Sequence, residues 1–153
     1  MSQPSLFGAP GSGGSSIANI DGGARGNPGP AGYGVHIQRD DGSVVELKEA
    51  VGIATNNVAE YRGLLAALDW ATRQGIEKLH VKSDSDLLVK QMRGEYRVKH
   101  PGLQPLWEQA RRLAGQIHDV RYEHVRREFN KDADRLANEA MDEAAASSRG
   151  GRL

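Results

Sequence analysis

The 153-residue chain has no cysteine, which excludes a disulfide framework, a thiolate zinc site and a cysteine nucleophile. An excess of one charge is missing too. Twenty Lys and Arg balance twenty Asp and Glu, so the chain is not one that holds nucleic acid by bulk positive charge. No stretch of even ten apolar residues occurs. A membrane span and the apolar segment of a signal peptide are therefore excluded, and the reading is of a soluble, cytoplasmic chain with no membrane partner.

What is present is unevenly spread. At this length one domain with an ordinary core is expected, burying roughly 70% of its unfolded surface. Residues 1–60 carry three basic and six acidic side chains, whereas residues 91–127 carry eight basic and four acidic. A mild basic face is expected in the second half. Ten of the 19 glycines precede Val35. Residues 1–15, rich in Gly, Ser and Pro, read as a flexible leader, and residues 146–153 as a flexible tail. The folded domain is expected over residues 16–145.

Within it, Ile17–Asp21 reads as a strand running into a turn-rich stretch from Gly22 to Pro30, then a second strand over Tyr33–Gln38. Asp41-Gly42 supplies a hairpin turn into a third strand, Val44–Ile53, where Val45 and Leu47, then Val51 and Ile53, stand two apart. From Asn57 the period changes: Val58, Tyr61, Leu64, Leu65, Leu68 and Ala71 mark an amphipathic helix that ends before Gly75. A strand through Leu79 and Val81 stops at Ser83-Asp84, followed by a short helix over Ser85–Met92. After a loop at 94–102, a helix spans Leu103–Ile117, a strand carries Val120, Tyr122 and His124, and a last helix starts at Asn130. The order βββαβααβα predicts an α/β (α+β) fold, a mixed five-stranded sheet with helices packed on it.

Four acids fall at element junctions: Asp21 ends the first strand, Glu60 opens the first long helix, Asp84 ends the fourth strand and Asp134 opens the last helix. Taken singly, each has an ordinary explanation as a turn residue, a helix cap or a complement to the helix dipole. Strand parity speaks for more, because Ile20 points away from Asp21, and Leu79 and Val81 away from Asp84. Clustered carboxylates resist ionising together unless a hard cation neutralises them. Magnesium suits oxygen ligands of this kind, with manganese as a substitute.

The segment Asp21-Gly22-Gly23-Ala24-Arg25-Gly26-Asn27-Pro28-Gly29-Pro30-Ala31-Gly32-Tyr33-Gly34 resembles the opening motif of the type 1 ribonuclease H family. Thr55-Asn56-Asn57-Val58-Ala59-Glu60 resembles its second motif, Asp84-Ser85 with Leu88-Val89 its third, and Asn130 to Ala137 its fourth. The resemblance runs from about Ile17 to Ala144. It implies a ribonuclease H-like fold and a monomeric endonuclease that cuts the RNA strand of an RNA–DNA hybrid, leaving 5′-phosphate and 3′-hydroxyl ends. Asp21, Glu60, Asp84 and Asp134 match the family's catalytic, metal-binding carboxylates, which hold two Mg2+ ions, one activating a water and one stabilising the departing 3′ oxygen. Gly23, Ala24 and Asn27 match positions facing the hybrid's minor groove, as do Asn56 and Asn57, and Thr55 matches a position associated with a DNA phosphate. Close backbone approach and amide side chains suit recognition of a 2′-hydroxyl, which both donates and accepts.

The chain also departs from the family's better-known bacterial members. The segment Arg93 to Gly102 is too brief for their basic protrusion, so binding is expected to be salt-dependent and to rest on Arg93, Arg97, Lys99, Arg126 and Arg127. His124 stands where many relatives place a mobile histidine, but a short loop before Asn130 makes it a strand residue, outside the catalytic set. The pattern resembles compact bacterial and archaeal members. A dinucleotide fingerprint does not fit, because Gly23, Gly26 and Gly29 lead into a strand. A non-catalytic hybrid-binding module and another nuclease of the superfamily are the alternatives.

Overall fold

The structure is a computed structural model that describes residues 14–150. Strands β1 (Ser15–Ala24), β2 (Gly29–Arg39) and β3 (Val44–Ala54) precede helix α1 (Asn56–Arg73). Then come β4 (Lys78–Ser83), α2 (Asp86–Met92), α3 (Gln104–Ala114), β5 (Asp119–His124), a 3₁₀ turn (Arg127–Phe129) and α4 (Lys131–Gly150). The five strands lie in the order β3-β2-β1-β4-β5. The β1–β2 and β2–β3 pairs are antiparallel, and β1–β4 and β4–β5 are parallel. The expected fold is observed.

Several boundaries move. β1 continues past Asp21, because Gly22, Gly23 and Ala24 pair with Tyr33, Gly32 and Ala31 in the β1–β2 ladder. The turn expected over Gly22 to Pro30 shrinks to the bend at residues 25–28. Ser15, assigned to the leader, opens β1, and residues 1–13 lie outside the described residues. Helix α3 ends at Ala114, three residues before Ile117. At the other end α4 runs to Gly150, so residues 146–150, expected as tail, are helical. Ala144 is buried on that helix, and the alanines at 145 and 146 favour its continuation. Residues 151–153 lie outside the described residues.

The sheet is covered on two sides, and alternation along the strands decides what each side sees. Ala18 and Ile20 of β1, Val35 and Ile37 of β2, and Leu79 and Val81 of β4 are buried in one cluster with Tyr61, Leu64, Leu68 and Ala71 of α1. Leu88 of α2 and Ala110 of α3 close the same core. The opposite side of β2 presents Gly32 and Gly34 to α4. A Cβ on Gly34 would lie 2.5 Å from the Leu136 Cβ and 2.6 Å from the Ala133 carbonyl oxygen, and one on Gly32 would lie 2.5 Å from the Ala140 Cβ. Any side chain there would push α4 off the sheet. Ala133, Ala137 and Ala140 are fully buried at this contact.

Candidate active site

The carboxylates arrive at one end of the sheet from four separate elements. Parallel pairing matches Ile20 of β1 with Ser83 of β4, so the next residues, Asp21 and Asp84, stand side by side. Glu60 comes from the first turns of α1, which can lie against β1 only because residue 22 is glycine. A Cβ there would sit 2.5 Å from the Ala59 carbonyl carbon and 2.6 Å from the Glu60 nitrogen. Asp134 projects from the first turn of α4, near enough for its charge to act on Asp21. Carboxylate oxygens of Asp21, Glu60 and Asp84 lie within 4.8 Å of one another.

This crowding has the electrostatic consequence expected of it. Burial, with the nearby Asp84 and Asp134 carboxylates, pushes the Asp21 carboxyl up to about 8, although the Gly22 N–H donates to it at 2.9 Å. Burial and the Asp84 charge push Glu60 up to about 7. Asp84 is raised too, mainly by burial, with the Arg127 guanidinium pulling the other way from 3.9 Å. Asp21, Glu60 and Asp84 resist ionising together here without a cation.

The four acids line an open cavity of about 870 Å³ together with Gly23, Ala24, Asn56, Asn57 and Arg127. The glycine turn closes onto α1 through two amide side chains. The Ala24 N–H donates to Asn56 Oδ1 at 2.8 Å, and the Asn56 N–H donates to Asn27 Oδ1 at 3.0 Å. Both amide oxygens are thus committed, and the NH2 groups are what these side chains have left to donate outward. Thr55 is the N-cap of α1, its hydroxyl accepting from the Val58 N–H at 3.2 Å. Asn27 and Thr55 are not among the cavity's lining residues; they brace the turn and the start of α1 beside it.

His124 is the last residue of β5, as expected, yet it faces the same cavity, with Nδ1 3.8 Å from Asp86 Oδ1. Residues 93–103 form no helix and no protrusion. One residue that spacing did not single out is Asn130, only 1% exposed ahead of α4. Its Nδ2 donates to the Ile20 carbonyl and its Oδ1 accepts from Asn19 Nδ2, both at 2.9 Å. These bonds pin the start of α4 to β1 beside Asp21, which sets where Asp134 stands. Nothing in the local sequence signals that burial.

A family model described as reverse transcriptase-like matches residues 19–140. A bifunctional protein of Mycobacterium tuberculosis is 54% identical over 133 residues, covering 86% of this chain and 36% of its own length. The chain thus spans about a third of that relative. The relative's N-terminal RNase H domain, solved as a fusion with maltose-binding protein, superposes with a TM-score of 0.85 at 52% identity, over 88% of this chain and 99% of that one. Ribonuclease HI of Halobacterium salinarum is 43% identical over 136 residues, covering 88% of this chain and 68% of the relative. LC11-RNase H1, solved in complex with an RNA/DNA hybrid, has a TM-score of 0.79 at 40% identity, covering 85% of this chain and 99% of that one. Motif order, strand topology and these likenesses agree, and the chain belongs to the ribonuclease H family.

Proposed function

We propose that this chain is an endoribonuclease that hydrolyses the RNA strand of RNA–DNA hybrids, leaving 5′-phosphate and 3′-hydroxyl ends, and that it acts as a monomer in the cytoplasm. The observation that carries the reading is the convergence of Asp21, Glu60 and Asp84 within 4.8 Å on the wall of a cavity that Gly23, Ala24, Asn56 and Asn57 also line. Acid groups and amide donors share one surface.

The donor set fits a hard divalent cation: all-oxygen ligands, raised toward neutrality by burial and by one another. Asp21, Glu60, Asp84 and Asp134 would hold Mg2+, with Mn2+ as a substitute. Bound there as a pair, the ions supply an activated water and charge for the leaving 3′ oxygen. The chain's own part is positioning. The backbone at Gly23 and Ala24 and the amides of Asn27, Asn56 and Asn57 meet the minor groove, where a 2′-hydroxyl distinguishes RNA from DNA. Thr55 caps α1 and takes a DNA phosphate, while Arg127 approaches the RNA phosphates from the opposite rim.

The test is cleavage of a labelled RNA–DNA hybrid with magnesium, beside RNA duplex and DNA duplex. The reading expects the hybrid alone to be cut, and Asp21→Asn to abolish cutting while leaving most of the binding. Equal cutting of DNA duplex would point to another nuclease of the superfamily. Binding of the hybrid without cutting would point to a non-catalytic module.

A further inference from the structure

Arg25 lines the cavity and reaches from the β1–β2 bend to α4. It stands first in the bend between β1 and β2, where its backbone N–H closes the hairpin on the Pro30 carbonyl at 2.9 Å. Its Nη2 reaches α4, lying 2.9 Å from Asp142 Oδ1, 3.2 Å from Asn138 Oδ1 and 3.4 Å from the Asn138 carbonyl. Asn138 in turn donates from Nδ2 to the Asp134 carbonyl at 2.8 Å. A planar guanidinium can serve several acceptors from one fixed fork, which a lysine ammonium cannot do with the same geometry.

We propose that Arg25 is a positioning residue, a clamp that holds the glycine turn on α4 and so fixes the distance between the groove-facing peptides and Asp134. Among the described residues the turn's other side-chain hydrogen bonds, those of Asn56 and Asn27, lead to α1. Without Arg25 the bend keeps its polar ties to α1 and loses its polar tie to α4, which carries Asp134. The carboxylates themselves stay in place, because Gly22 and Asn130 hold their elements by contacts that Arg25 does not share. Loss of the clamp therefore weakens substrate binding more than the chemical step. The kinetic consequence rests on the hybrid-cutting function; the mechanical one does not.

A competing role for Arg25 is direct contact with a phosphate, and Asp142 separates the two. Asp142 is 69% exposed and outside the site, so Asp142→Asn folds as the parent does. For a clamp, Arg25→Ala and Asp142→Asn act in the same direction: KM for a labelled hybrid rises about threefold to tenfold with kcat nearly unchanged. Arg25→Lys is intermediate. Amide hydrogen exchange of residues 25–29 speeds up in both the Arg25→Ala and Asp142→Asn proteins without any substrate present. A phosphate contact gives the opposite sign at Asp142, since removing the acid frees the guanidinium and lowers KM. That result, or unchanged exchange in both variants, overturns the clamp. If the parent cuts no hybrid, the function fails, and the exchange measurement still decides the clamp.

Discussion

Against α1 the sheet presents Ile20, Val35, Ile37, Leu79 and Val81; against α4 and the residue ahead of it, the sheet presents Asn19, Asp21, Gly32 and Gly34. The first face is held by volume. Branched and aromatic side chains fill it, and removing one leaves a cavity. The second is held by closeness, with glycine facing alanine and an asparagine pair beneath, flanked by Lys48 reaching Glu139 and Glu143 at 3.2 and 2.8 Å. Two of the four carboxylates, Asp21 and Asp134, meet on this second face. Stability is concentrated on one side and geometry on the other, so mutations on the two sides should fail differently.

The largest effects come from exchanging the two modes. Gly34→Val puts three heavy atoms where one already meets backbone, and should cost about 3 kcal/mol or more. It should also lower cutting by about 100-fold in whatever remains folded, since Asp134 moves with α4. Leu64→Ala should cost a similar 2–5 kcal/mol yet leave the rate per folded molecule unchanged. Denaturant melts alongside active-site titration read both quantities, and equal loss of rate in the two variants would erase the distinction.

A smaller effect follows at Asn130. Asn130→Ala strands the Ile20 carbonyl and the Asn19 amide, costing about 1–3 kcal/mol, and should lower kcat with little change in KM. Steady-state kinetics on the hybrid checks it.

The clustered acids carry a stability cost of their own. Asp21 and Glu60 have folded pKa values near 8 and 7, above their ordinary carboxyl values of 3.8 and 4.5. The folded state thus holds protons that the unfolded chain has already released. Metal-free stability is fully present below about pH 4 on this account and falls as pH rises through the window toward 8. Asp21→Asn removes the main cause. At pH 8 without metal it should raise stability by on the order of 2 kcal/mol, after allowing for solvent screening of a partly exposed cluster. A melting series from pH 5 to about 8.5 tests the sign, and rising stability for the parent across that range would contradict it.

The smallest effect belongs to the margin of α4. Lys48→Ala breaks exposed ion pairs and should cost less than about 1 kcal/mol with no change in rate, measurable as a slight shift of the melting midpoint.

Much of the first face was legible in the sequence, because Leu64, Leu65 and Leu68 repeat at helical spacing and Leu79 and Val81 alternate. The acids were legible as junction residues with the right parity. The second face was not. Gly34 lay in an expected strand and Gly32 just ahead of it, but nothing in the pattern signals that both admit the backbone of α4; Gly22, read as a turn glycine, likewise is a strand residue that admits α1. Asn130 and Arg25 likewise take their roles from partners about 110 residues away, and no local pattern encodes such partners. The extension of α4 to Gly150 escaped for its own reason, since a stretch rich in Ala and Ser carries only a weak helical pattern.

As proposed, the four acids form one cation site, with Asp21 and Asp134 brought together by the close-packed face and Glu60 supplied by α1. Calorimetric titration of the metal-free protein with Mg2+, in two buffers of different ionisation heat, tests it most directly. Because Asp21 and Glu60 hold protons near neutrality, binding at pH 7 should release roughly one proton or more per protein, a release that disappears at pH 9 and falls to the Glu60 share alone in Asp21→Asn. Magnesium binding at pH 7 with no proton release, or with the same heat in Asp21→Asn, would contradict the account.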